Sequence, residues 1–145
     1  MYTHILIATD GSSLASRGVE HGVRLAKALS ASVTLLTVSE RFHTFSLEPT
    51  QLEETLSSFR EHMSKEVSKV LADARRLAAA AGVETTALHK ENDEPYQAII
   101  RTAEGKGCDL IVMASHGRGG VSAMFLGSET LKVLSHSKLP VLVIR

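Results

Sequence analysis

A chain of 145 residues with 43% hydrophobic content can bury one well-formed core and is short for two, so a single domain over residues 1–145 is expected. Sixteen basic side chains balance sixteen acidic ones, which removes the net field that draws proteins to nucleic acid or to anionic lipid. Cys108 is the only cysteine, so there is no disulfide framework, and the longest apolar runs fall far below the roughly 20 residues needed to cross a bilayer.

The N-terminal MYTHILIATDG lacks the basic start and long apolar region of a signal peptide, and a reducing, cytoplasmic setting is expected. Within it, His4 to Thr9 reads as a buried strand that ends at Asp10-Gly11, where the backbone can turn sharply. Ser12 or Ser13 is a suitable helix N-cap. Beyond it Ala15, Val19, Gly22, Ala26 and Leu29 recur at steps of three and four, giving a helix with one apolar stripe that ends near Ser30. Ser32 to Val38 is apolar and β-branched, a second buried strand. A parallel pair needs a crossover, and crossovers are right-handed, so β-α-β points to a wound α/β sheet.

A polar and aromatic connection, Ser39 to Pro49, leads to a long helix beginning at Thr50. Thr50 and Glu53 match a capping box. The stripe is Leu52, Leu56, Phe59, Met63, Val67, Val70, Ala74, Leu77 and Ala81, with Glu53 and Glu54 early, Arg75 and Arg76 late, and Glu61 and Lys65 as an i,i+4 pair. Gly82 stops it. Val83 to His89 reads as a third, less buried strand. Asp93 is expected to cap a short helix that begins at Pro95, turns Ile99, Ile100 and Ala103 inward and closes at Gly105. Leu110 to Ala114 forms a fourth strand with five consecutive apolar residues. Gly127-Ser128-Glu129-Thr130 opens a last helical pattern through Leu131 and Leu134, and Val141 to Ile144, after Pro140, is the fifth strand. Strict alternation argues for a parallel sheet with helices on both faces.

Between the fourth strand and the last helix lies Ser115-His116-Gly117-Arg118-Gly119-Gly120. A buried strand, a glycine-rich loop and a helix start are the parts of a phosphate cradle, because glycines let backbone N–H groups approach an anion and the helix N-terminus favours negative charge. Anion binding, not bond making, is the chemistry suggested. No GxxxxGK[ST] is present and no GxGxxG follows the first strand, so neither a P-loop enzyme nor a Rossmann dehydrogenase is indicated. A receiver domain shares the five-stranded architecture, but Asp10 is followed by Gly11 where a receiver needs a second acid. His116 has no second His or Cys at ligand spacing. Cys108 has no basic or histidine neighbour in sequence and reads as a structural thiol.

The loop resembles the nucleotide-binding segment of the universal stress protein family: Gly, two residues, Gly, nine residues, Gly, then Ser or Thr. Gly117 and Gly127 stand nine residues apart with Ser128 following, while Ala114 occupies the first glycine position. The resemblance extends over the whole chain, with Thr9-Asp10-Gly11 closing the first strand and Val38 the second. It implies a Rossmann-like five-stranded parallel sheet of the adenine nucleotide alpha hydrolase-like type, in order 3-2-1-4-5, with Asp10 and the Ala114 to Arg118 loop side by side at the carboxyl ends of the strands. It assigns Thr9, Asp10 and Val38 to the nucleoside of ATP. Met113, Ala114, Ser115, His116, Gly117, Arg118, Gly127, Ser128, Glu129 and Thr130 would supply the rest of the site, mostly through backbone N–H groups around the phosphates. The alternative for Asp10 is a turn residue and helix cap, and for Arg118 a solvated loop arginine. Magnesium or manganese would be held through the phosphates. The function implied is an ATP-binding, nucleotide-dependent switch in the stress response. The alternatives are a non-nucleotide interaction module of the same family or, at most, a slow ATPase, with no general base identified. At the sheet edge, Val141 to Ile144 is expected to pair with its copy in a homodimer, and protein partners of the switch are unknown.

Overall fold

Alternate residues of the central strands are apolar on both sides, and that requires a sheet covered by helices on each face. The computed structural model describes residues 1–43, 49–118 and 125–145, and side chains at all of these except 49 and 50. The elements are β1 (His4–Ala8), α1 (Ser13–Leu29), β2 (Ser32–Ser39), α2 (Pro49–Ala80), β3 (Thr85–Glu91), α3 (Pro95–Gly105), β4 (Leu110–Ala114), α4 (Ser128–His136) and β5 (Val141–Ile144). The sheet is wholly parallel, as the alternation of elements led one to expect, in the order β3-β2-β1-β4-β5 that the family resemblance implied.

Two cores flank it. Ile5, Ile7, Val33, Leu35, Leu110, Val112 and Ile144 point to one face, where Val19, Val23 and Ala26 of α1 and Ala74 and Ala78 of α2 meet them. Leu6, Leu36, Ile111 and Met113 point to the other, against Ile99, Ile100 and Ala103 of α3 and Val133 of α4. Register places Ile5, Leu6 and Ile7 opposite Leu110, Ile111 and Val112, so β1 and β4 lie together at the point where the winding reverses. Asp109 fastens their starts: its Oδ2 accepts from the Thr3 amide and hydroxyl, each at 2.8 Å, and Oδ1 from the His4 amide at 3.1 Å.

Local expectations are met unevenly. Ser12 caps α1, accepting from the Ala15 amide at 3.2 Å. The Thr50 cap lies outside the described side chains. Asp93 does not cap α3. Glu94 is the N-cap and offers no side-chain bond, while the Asp93 carboxylate accepts from the Arg41 amide at 3.0 Å and pairs with His43 Nε2 at 2.9 Å. A long-range partner displaces the local one. In α2 the expected dipole pairing falls away, because Glu53 and Glu54 lie past the first turn and Arg75 and Arg76 precede the last, where the terminal field has decayed. The Glu61–Lys65 pair does form, at 3.2 Å. In α4 the inward residues are Thr130 and Val133, leaving Leu131 and Leu134 exposed.

Candidate functional site

At the carboxyl ends of β1 and β4 the first-strand turn meets the glycine loop. The Asp10 side chain folds back in an Asx turn, Oδ1 accepting from the Ser12 amide at 2.9 Å. Its Oδ2 accepts from the Arg118 amide at 3.0 Å, across 108 positions of sequence. The turn reading of Asp10 is thus realised, and the same side chain also holds the loop. Gly117 makes this possible, for a Cβ there would overlap Asp10 Oδ2. Gly11 adopts φ +80°, and a Cβ on it would stand 2.6 Å from Val70 Cγ2 of α2.

The start of α4 is bolted to the end of β4. The Gly127 amide donates to the Ser115 carbonyl at 2.7 Å, and the Thr130 hydroxyl is shared between the carbonyls of Ala114 and Ser115 at 3.0 and 3.1 Å. Gly127 has φ −63°, ordinary extended backbone, so its glycine requirement is one of space: an added Cβ would lie 3.2 Å from His116 Cα and from the Ser115 carbonyl oxygen. Ala114 is an extended strand residue opposite Ile144, and nothing in its backbone calls for glycine. The first turn of α4 lines the crevice, and among the described residues no side chain caps its amides.

The resulting cavity measures about 460 Å³. Eleven of the thirteen residues expected at the site line it: Thr9, Asp10, Val38, Met113, Ala114, His116, Gly117, Gly127, Ser128, Glu129 and Thr130. Ser115 and Arg118 do not. Ser115 is buried behind the wall with its amide on the Ile144 carbonyl, and the Arg118 guanidinium turns to Glu66 of α2 at 4.0 Å. The sequence reading missed Ala8, Ala15, Leu36, Glu40, Pro95 and Ile99. Pro95 and Ile99 were accessible from topology, since α3 and α4 cover the same face and must flank whatever opens between their starts. His116 Nδ1 lies 3.3 Å from Ser115 Oγ. Among the described residues, no group of three His, Cys, Asp or Glu side chains is arranged to hold a metal. No described helix is long and apolar enough to cross a membrane.

Two helices starting at one crevice, at the switch point of a 3-2-1-4-5 parallel sheet, define an α/β protein of the wound class, with its crevice at the place where such sheets bind ligands. The family model of the universal stress proteins matches residues 1–145, and the chain belongs to that family. It is 33% identical over 149 residues to universal stress protein YxiE of Bacillus subtilis, with 100% of both chains covered. To a universal stress protein of Thermus aquaticus it is 34% identical over 148 residues, again with 100% of both covered. Among solved structures, MJ0577 of Methanocaldococcus jannaschii superposes with a TM-score of 0.79 at 28% identity, covering 99% of this chain and 96% of that one. A universal stress protein crystallised with cAMP shares the fold at a TM-score of 0.73 and 23% identity, covering 99% and 97%.

Proposed function

We propose that this universal stress protein binds ATP in the crevice between β1, β4 and the starts of α3 and α4, and that nucleotide occupancy acts as a cytoplasmic stress-response switch. The observation that carries the reading is the meeting of Asp10 with Gly117, Gly127 and Ser128 in one cavity of about 460 Å³, within the usual range for small-molecule sites. Leu36, Val38, Met113 and Ile99 offer an apolar wall for a base, and the uncapped first turn of α4 offers amides to phosphate. Ala114 supports the reading, since its extended backbone carries a methyl without strain. Magnesium or manganese would be carried mainly by the phosphate oxygens.

The protein is further proposed to dimerise through β5, whose outer edge would pair with its copy about a two-fold axis. The test of nucleotide binding is mass spectrometry of ligand carried through purification, followed by calorimetric titration with ATP. Bound adenine nucleotide and saturable heat are expected. No detectable binding at millimolar ATP would leave the protein as an interaction module of the same fold.

A further inference from the structure

We propose that the Glu129 carboxylate sets the charge selectivity of the crevice, opposing ligands that carry several negative charges while leaving neutral nucleosides unaffected; this rests on the nucleotide reading above. Both α3 and α4 begin at the cavity, through Pro95 and Ser128, and neither N-cap residue, Glu94 or Gly127, supplies a side-chain bond. Glu129 serves both helices. It stands in the first turn of α4, and its Oε2 accepts from the Tyr96 amide of α3 at 2.8 Å. The carboxylate thus occupies the position that the start of α3 would offer to an external anion, while standing in the first turn of α4.

The rest of the lining does not offset that charge. Among the described residues the ionisable groups on the cavity wall are Asp10, Glu40, Glu129 and His116, with no lysine or arginine. Of the nearby cations, Arg118 lies 4.0 Å from Glu66, while Lys132 pairs with Glu129 Oε1 at 3.4 Å but sits on the exposed side over the Tyr96 ring. A solvated lysine of that kind screens weakly. A phosphate chain resting on the amides of Ser128 to Thr130 lies within a helical turn of the Glu129 carboxylate, and the repulsion grows with each charge on the ligand.

Glu129→Gln tests this, because the amide oxygen can still accept from the Tyr96 N–H while the charge is gone. Adenosine, AMP and ATP are titrated calorimetrically at neutral pH in chelator, with the wild type, Glu129→Gln and Glu94→Gln. Glu94 is an exposed acid at the same helix start but off the cavity wall. Expected for Glu129→Gln are an ATP affinity tighter by about tenfold, an AMP affinity tighter by about threefold and an adenosine affinity within about twofold, the gains shrinking at high salt. Glu94→Gln should change none of them. A wild type that binds all three with an ATP-to-adenosine ratio unmoved by Glu129→Gln overturns the selectivity role alone. Equal gains for all three ligands, or the same gain from Glu94→Gln, also overturn it. If neither the wild type nor Glu129→Gln binds any of them at millimolar concentration, the nucleotide reading falls and this inference with it.

Discussion

Gly117 and Asp10 illustrate how closely the loop and the first strand are matched, since a methyl at Gly117 would occupy the space of the carboxylate that holds the Arg118 amide. Gly117→Ala is expected to cost about 1–3 kcal/mol, as overpacking does, and to weaken ATP binding more than stability alone would suggest. Urea unfolding and titration side by side check it, and an unshifted midpoint would show that the loop relaxes freely. Gly127→Val should also abolish tight ATP binding, here because the side chain meets His116 and the Ser115 carbonyl, not because of backbone handedness. Cys108 behaves differently. Burial pushes its thiol up to about 11, so the reactive thiolate is scarce at pH 8. Disulfide-exchange reagents should label it slowly in the native protein and rapidly in denaturant; fast native labelling would contradict the packing at the base of β4.

At the scale of elements, the two edge strands are protected unequally. β3 presents Thr85-Thr86-Ala87-Leu88-His89-Lys90-Glu91, with charged residues toward its end and modest burial throughout. β5 is Val141-Leu142-Val143-Ile144, four apolar residues with Leu142 already 37% exposed on the isolated chain. Charges along an edge discourage pairing and a bare apolar edge invites it, so association is expected through β5 and not β3. Light scattering should give the mass of a dimer for the wild type and of a monomer for Val143→Lys. A monomeric wild type, or a dimer indifferent to that lysine, would remove β5 from the interface.

For the molecule as a whole, Asp109 ties the beginnings of β1 and β4, the strands whose far ends make the crevice. Burial acts to raise its carboxyl, but hydrogen bonds from the Thr3 and His4 amides and the Thr3 hydroxyl outweigh it and hold the group below 3.8. A carboxyl depressed in the folded state stabilises above its unfolded value and loses that contribution as pH falls through the folded one. Asp109→Asn should cost about 1 kcal/mol near neutrality, a modest figure because Thr3 is exposed and His4 only half-buried. The difference from wild type should narrow below about pH 3.8, where the unfolded carboxyl begins to take up its proton. Chemical denaturation at pH 7 and at pH 3 measures both, and a gap that widened in acid would refute the linkage.

By itself the sequence determined the element order, the two-faced burial of β1, β2 and β4 and a cap for α1 at Ser12 or Ser13, because apolar periodicity and local capping chemistry act over a few residues, while the 3-2-1-4-5 order was implied by the family resemblance. The resemblance carried by its Gly117-to-Gly127 spacing also marked most of the crevice wall. Only the tertiary structure decided where the long side chains went. Asp93 left its helix for Arg41 and His43, Arg118 turned to Glu66, and Glu129 crossed to the start of α3. The physical reason is reach: a flexible polar side chain serves any donor or acceptor brought within about 3 Å, and which one arrives depends on the packing of elements far apart in the chain.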